Sequence, residues 1–575
     1  MSVEAVPPEA RPAPVLSRTS AAAPSVGERL PQAGLSACAA EAAVPGPAGP
    51  RPFVEDILET MRSDPDRELV VYGQRRLSAG RFRTLVHRMA HTLAALGVER
   101  GATVTLLSGN LPETLAARYA ANLTGCKVNH LYSKISAGIQ AAIVADVETQ
   151  VLIVDLRLAG RAEQITATVP VKHVLVLGDP SHGPGQDLVA LATEQSEEPF
   201  SARCRPDDIC VIRHTGGTTG RPKGIVSAFD QVGRISQVMT PPQQGEAGAR
   251  RQLVCTTLAH AGGMMADGVL RAGGSVVLQD DFDAGEVLAA VERERITCLF
   301  LLPPLLYPLL DHPDARHRDL SSLTTVTYSG CQSSPTRLED AVRRLGPVLV
   351  QVYAQNETGG ISVLRPQEHD LARPERMRTA GRVLPGVDVA VRDADGRDLP
   401  LGEPGEICVR SPGTMRGYWK EPELTAEVLR EGWVLTGDLG HLDGEGYLTV
   451  VDRLKDMIVV VGGHVYTTEL EDLNSHPAVL QSAVYGARDA DRMGAGARHR
   501  GSRAGHRGAG RRTTGHGART ARPHVRTDPH RLRGCPAPLR RRETRQKAAP
   551  EAGIASQHTL TGLPRQGRAT RRALS

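Results

Sequence analysis

Between Arg213 and Gly224 the chain reads Arg-His-Thr-Gly-Gly-Thr-Thr-Gly-Arg-Pro-Lys-Gly. Three hydroxyls (Thr215, Thr218, Thr219) and four glycines (Gly216, Gly217, Gly220, Gly224) fall within ten residues, directly after a β-branched apolar run. Glycines let a backbone approach an anion closely, and hydroxyls and amide N–H groups donate to phosphate oxygens. Lys223 adds a cation, so the chemistry this segment fits is phosphate binding. A plain surface turn would share the glycines but needs neither the hydroxyls nor the lysine. No Gly-Lys-Ser/Thr follows four residues after a glycine, which separates the loop from a Walker A cradle.

Two carboxylates stand in comparable settings. Glu357 follows the apolar run 348–355 and precedes Thr358-Gly359-Gly360, while Asp438 lies in Trp433-Val-Leu-Thr-Gly-Asp-Leu439. A lone carboxylate is ordinarily a solvated surface group. A position at the end of a buried strand is what sets Glu357 apart.

The elements that must carry these groups are legible as alternation. Runs such as 151–155, 173–178, 209–217, 275–280, 298–304 and 348–355 have the β-branched, apolar character of buried strands, and amphipathic stretches such as Ala284–Arg295 fall between them. Strand–helix alternation predicts α/β layers with largely parallel strands. The segments 387–393 and 405–411 alternate at period two between Gly and Pro turns, which predicts a smaller antiparallel sheet. The fold class expected is therefore α/β: a large N-terminal domain of α/β layers over 51–451 with a small β-rich subdomain. A disordered Ala/Pro-rich leader (1–50) is expected before it.

In order along the chain, these segments resemble the adenylate-forming (AMP-binding) superfamily, of the acyl/aryl-CoA synthetase type. The phosphate loop, Tyr353-Ala-Gln-Asn-Glu-Thr-Gly359, Trp433–Leu439, Asp452-Arg-Leu-Lys-Asp-Met-Ile458 and Gly462-Gly463 are similar to five motifs of that family. The resemblance implies that 452–491 form a hinge and the start of a small α+β C-terminal domain, left incomplete. It implies that Thr215, Gly216, Gly217, Thr218, Thr219, Gly220 and Lys223 cradle the ATP phosphates. Glu357 would hold Mg²⁺, Tyr353 would stack near the adenine, and Asp438, with Arg453 nearby, would receive the ribose hydroxyls. Asn356 stands where the family has a threonine, and its amide can donate in place of the hydroxyl. His260, Ser329, Gly330 and Cys331 would border the acid substrate, Lys455 would be the hinge, and Gly462 and Gly463 would flank the pantetheine arm of CoA. The implied catalytic set is Thr215, Lys223, Glu357 and His260. The implied activity is AMP-forming ligation of a fatty or aromatic carboxylic acid to CoA. Three alternatives stand beside it: loading of a carrier-protein phosphopantetheine, an unusual nucleophile, and a degenerate nucleotide-binding protein with a basic tail.

Composition narrows the class. The chain has 575 residues, 40% apolar and 23% charged, which excludes a wholly disordered or fibrous protein. The longest apolar stretch, Ile296–Leu310, is interrupted by Pro303 and Pro304 and is too short to span a bilayer. No charged n-region and apolar h-region open the chain, and nine cysteines lie scattered without a C-x-x-C pair. A reducing cytoplasm is the compartment that fits.

The net charge of +5 is unevenly shared. Residues 494–575 hold 19 Arg and one Lys against three acids, a local +17 that leaves −12 for residues 1–493. This segment has seven Val, Ile or Leu and no aromatic residue, too little apolar surface to offset ordering entropy. Taken literally, residues 492–575 are a basic low-complexity tail able to meet nucleic acid through phosphates. The reading preferred here is a shifted reading frame beginning near residues 488–494, so no nucleic-acid partner is expected. The resembled family closes on a Gly-Lys segment whose lysine bridges carboxylate and α-phosphate, and no such segment is present. Pro529–Glu551 read one nucleotide later permits I-V-F-V-D-A-L-P-L-S-A-A-G-K-P-D-K-K-R-L-R, which contains it. The literal chain is accordingly expected to adenylate poorly.

Overall fold

A computed structural model describes residues 52–178, 184–215, 222–239 and 250–454, together with the strands Ile458–Val460, Gly463–Val465, Val479–Arg488 and Ala495–Arg503. The leader, Gly216–Gly220, Lys455, Gly462 and the tail beyond Arg503 lie outside the described residues.

Two large sheets dominate. In the first, Thr103–Leu107 is flanked by Lys127–His130 and Thr149–Asp155, both parallel to it, and His173–Leu177 continues parallel on the outer side. Ile209–Thr215 joins parallel to Lys127–His130, and the chain then reverses into the antiparallel Lys223–Ala228. In the second sheet Glu68–Tyr72, Ser275–Leu278, Arg251–Val254, Cys298–Leu301, Thr325–Tyr328 and Leu349–Gln355 run parallel, Gly359–Leu364 folds back antiparallel, and the short Arg382–Val383 pairs beyond it. Every residue of Thr103–Leu107 and of Ser275–Leu278 is buried. Covered on both faces, such strands tend to read as continuous apolar runs, which is why the sequence revealed Ser275–Leu278; Thr103–Leu107, with its two threonines, was not among the runs read there.

The core lies between the sheets. Helix Pro112–Leu123 is buried at every position except Arg118, the mark of a helix enclosed on all sides. Phe82, Tyr119 and Phe229 are fully buried with it, and Phe82 meets Tyr119 edge-on at 6.3 Å. Buried Asp267 accepts from Tyr119 Oη at 2.6 Å and pairs with Arg118, so the charges that enter this core arrive with partners. Helix Ala284–Glu294 begins where Asp283 caps the Glu286 amide at 3.0 Å and occupies the predicted stretch.

The third sheet is the antiparallel one expected from the period-two segments. Asp388–Arg392, Gly405–Arg410, Trp433–Leu442 and Leu448–Arg453 pair in that order, with Leu429–Arg430 against Trp433–Val434. Beyond it, Val479–Arg488 pairs antiparallel with Ala495–Arg503. That strand occupies the first residues of the segment read from composition as a low-complexity tail, whose pattern of Gly, Ala, Arg and His carries no period-two signal to announce it.

Candidate active site

The strands Ile209–Thr215 and Lys223–Ala228, on either side of the glycine-rich segment in sequence, pair antiparallel. Antiparallel register sets Thr215 opposite Lys223 and Arg213 opposite Ile225, so the lysine stands at the loop's exit across from its first hydroxyl-bearing residue. A Cβ on Gly224 would lie 3.0 to 3.2 Å from side-chain atoms of Ile212, Trp419 and His214, so a larger residue there would push these neighbours by a few tenths of an ångström. His214 Nδ1 donates to Asn129 Oδ1 at 3.1 Å, and burial pushes its pKa down to about 4, which keeps the ring neutral.

Glu357 follows the strand Leu349–Gln355, which is paired on both sides. Its carbonyl accepts from the Met415 amide at 2.8 Å, and its Oε1 accepts from Tyr418 Oη at 3.1 Å. The Tyr418 ring also lies under Lys223, whose Nζ is 5.4 Å from the ring centroid. One side chain therefore touches both the carboxylate and the phosphate-loop cation.

Asp438 is 4% exposed. Its Oδ2 accepts from Tyr353 Oη and from Gln355 Nε2, each at 2.7 Å, and Arg453 Nε stands 3.3 Å from Oδ1. The pairing of Asp438 with Arg453 across two neighbouring strands fixes this arrangement. Tyr353 thus has its hydroxyl committed to the carboxylate, while its ring lines an adjoining cavity of about 570 Å³.

His260 sits at the N-terminus of helix Ala261–Arg271, with its ring centroid 5.7 Å from that of Tyr132. Burial, and then the charge of Arg213, hold its pKa below the ordinary histidine value. A Cβ on Gly263 would meet the Leu258 carbonyl oxygen at 2.2 Å, so the turn that presents His260 depends on that glycine. Ser329 and Gly330 follow the strand Thr325–Tyr328, Gly330 at φ +96°, and Cys331 is exposed at the rim of the smaller cavity.

One cavity of about 1040 Å³ gathers Lys223, His260, Gly330, Asn356, Glu357 and Asp438. Segments 200 residues apart in sequence thus share one wall. Gly463 lies in a short strand of its own. Sequence reasoning gave no role to Tyr418, Gln355 or Arg213. Arg213 and Gln355 adjoin or lie within motifs that were read for other residues, whereas Tyr418 stands in Gly417-Tyr418-Trp419, which has no chemistry visible until the fold brings it to Glu357.

Residues 57–419 match the AMP-binding enzyme family. The chain belongs to this family. The AMP-binding enzymes it is similar to include the medium/long-chain-fatty-acid–CoA ligase FadD8 of Mycobacterium tuberculosis, 34% identical over 446 residues, which are 75% of this chain and 77% of that one. Feruloyl-CoA synthase of Amycolatopsis sp is 35% identical over 435 residues, covering 74% of this chain and 84% of the other. Among solved structures, the amide bond synthetase McbA of Marinactinospora thermotolerans superposes with a TM-score of 0.72 at 34% identity, over 80% of this chain and 90% of that one. As an AMP-binding enzyme, the protein is an ATP-dependent, AMP-forming ligase that works with Mg²⁺.

The residues present fit that cation. Among the described residues no three His, Cys, Asp or Glu cluster into a metal cage, but Mg²⁺ is commonly held by one or two carboxylates and the substrate's own phosphates. Glu357, in the cavity wall near the phosphate-loop lysine, supplies such a carboxylate. No helix among the described residues is long and apolar enough to cross a membrane.

Proposed function

We propose that the protein is an AMP-forming carboxylic acid–CoA ligase acting on a fatty or aromatic acid. The observation that carries this is the single 1040 Å³ cavity, in which the carboxylate of Asp438, the carboxylate of Glu357 and the His260–Gly330 wall face one space. Asp438 receives the ribose hydroxyls, with Tyr353, Gln355 and Arg453 holding its orientation. The Thr215–Gly220 loop and Lys223 bind the phosphates, Asn356 donates near the α-phosphate, and Glu357 holds Mg²⁺. Bound there, Mg²⁺ would neutralise charge that develops on the phosphates.

The acid's carboxylate oxygen forms a bond to the α-phosphorus as the bond to the β-phosphate oxygen breaks and pyrophosphate leaves. Lys223 and the loop donors stabilise the negative charge that spreads over the phosphates. A thiolate then adds to the acyl carbon of the mixed anhydride and AMP leaves with the electron pair, giving the thioester. Lys455, Gly462 and Gly463 would serve the hinge and the pantetheine path of this second step. His260, kept neutral, borders the acid together with Ser329, Gly330 and Cys331.

Acid-dependent exchange of pyrophosphate into ATP tests the first half, and an acyl-CoA product tests the second. The likeness to McbA favours a second reading, in which an amine intercepts the adenylate and an amide forms. A carrier-protein thiol is a third acceptor, supported by a 29% likeness to the fatty acid–[acyl-carrier-protein] ligase ScoC of Streptomyces coeruleorubidus. Mass spectrometry of the product with free CoA, an amine or a phosphopantetheine carrier separates the three.

The shifted frame belongs to the same proposal. With no Gly-Lys segment, the literal 575-residue chain lacks the cation that would join carboxylate and α-phosphate. Reading the coding DNA across codons 480–500 decides it: a missing or extra base restores Gly-Lys-Pro-Asp, and robust turnover by the literal chain sinks the idea. A cytoplasmic location fits the seven free cysteines among the described residues.

A further inference from the structure

Four cations line the central cavity: Lys134, Arg213, Lys223 and Arg453. Lys134 pairs with Asp281 at 2.9 Å, Arg453 pairs with Asp438, and Lys223 stands over the Tyr418 ring beside the phosphate loop. Arg213 differs from all three. Among the described residues its guanidinium has no carboxylate partner and no hydrogen-bond acceptor. The carboxylate whose charge reaches it, Asp267, is already held by Arg118 and Tyr119.

Arg213 is half-buried in the cavity wall, and a cation partly removed from water with no partner is costly to the fold that holds it. Burial is the largest influence on Arg213 and pulls its pKa below the ordinary arginine value. Such a group makes sense where a ligand brings the missing anion. The guanidinium fork matches a planar carboxylate with two parallel hydrogen bonds.

Its place on the hairpin says which anion. Lys223 lies opposite Thr215, and Arg213 is two residues back along the same strand, about 7 Å away on the same face of the sheet. Arg213 therefore points into the same cavity one step inward from the phosphate cation, on the side where its charge is felt at His260. Phosphates meet Lys223 at the loop, and the next anion inward in an adenylating enzyme is the acid.

We infer that Arg213 binds the carboxylate of the acid substrate, pairing with it in the cavity between Lys223 and His260. This rests on the acid-ligase reading above. In the 575-residue chain, which lacks the Gly-Lys segment, Arg213 supplies a cation for the carboxylate from within the large domain.

The test uses the full 575-residue chain and its Arg213→Met variant. Ferulate, decanoate and acetate are titrated against each, reading the urea unfolding midpoint against chloride at equal ionic strength, with the neutral amide of each acid as control. The unmodified chain should be stabilised by carboxylates more than by amides. In Arg213→Met the carboxylate affinity should fall at least about tenfold, with the ligand-free midpoint unchanged or higher. ATP affinity by calorimetry should stay within about twofold. Equal carboxylate binding by both chains overturns the inference, as does a lower ligand-free midpoint in the variant, which would mark Arg213 as structural. Loss of ATP binding with acid binding intact would make it a phosphate ligand and overturn the inference as well. Acetate stabilisation that depends on Arg213, without binding of ferulate or decanoate, supports the receptor and fails the proposed substrate class instead.

Discussion

Tyr418 Oη donates to Glu357 Oε1 at 3.1 Å while the face of the same ring carries Lys223 at 5.4 Å from its centroid. The hydroxyl and the ring thus act on different partners, and a substitution can separate them. Tyr418→Phe keeps the cation on the ring and frees the carboxylate. It should raise the Mg²⁺ concentration needed for tight ATP binding by about tenfold, since a hydrogen bond to a charged group is worth about 1.5–3 kcal/mol. Calorimetric titration of ATP at several Mg²⁺ concentrations measures this, and an unchanged metal requirement would show that the bond does not orient Glu357.

Asp438 accepts from two donors on one oxygen and faces Arg453 with the other. Asp438→Asn keeps the shape but turns an acceptor-only group into one that carries N–H donors. ATP affinity should drop at least tenfold, with a stability loss of about 1–3 kcal/mol from the unmatched buried donors. Urea unfolding and ATP titration of one protein sample give both numbers, and affinity equal to the parent's would remove Asp438 from the ribose site.

His369 fixes the direction of one pH effect. Its Nδ1 donates to the Arg365 carbonyl at 2.8 Å, Nε2 accepts from Tyr328 Oη at 2.9 Å, and burial pushes its pKa down to about 4. The unfolded chain binds this proton near the ordinary value of about 6.5, so the stabilisation is complete above that pH and is lost as pH falls toward 4. The loss should reach about 3 kcal/mol. Urea midpoints at pH 7 and pH 4.5 should diverge less in His369→Gln than in the parent, and equal divergence would remove His369 as the source.

The buried pair Arg118–Asp267 sets a stability prediction away from the chemistry. Asp267→Ala leaves Arg118 uncompensated and the Tyr119 hydroxyl without its acceptor. The cost should be about 3–5 kcal/mol, read as a lowered denaturation midpoint. A change below about 1 kcal/mol would mean that water reaches the arginine.

The buried parallel strands were legible because enclosure on both faces forces a continuous apolar run, and the small antiparallel sheet because one-sided burial leaves a period of two. That Lys223, Glu357, Asp438 and His260 share one cavity was foreshadowed because each stands near glycines or at a strand end, where chain geometry leaves a mark in sequence. Tyr418 and the free charge of Arg213 left none. Their meaning lies in distances between segments some 60 to 200 residues apart, and a tyrosine that bonds Glu357 looks in sequence like any tyrosine of a core. Ala495–Arg503 shows the converse limit, since pairing supplied by a neighbouring strand overrides composition.

The segment 411–419 connects the small antiparallel sheet to both larger ones. Within it the Met415 amide bonds the Glu357 carbonyl, the Arg416 amide bonds Val226 at 2.9 Å, and the Trp419 amide bonds Gly224 at 2.7 Å. These three amides span the gap between the carboxylate's strand and the phosphate hairpin, so none can open without loosening an end of the site. They should exchange with solvent deuterium as one unit, and a bound nucleotide, by favouring the closed state, should slow all three together. A nine-residue connection thereby becomes an internal gauge of whether the nucleotide is bound.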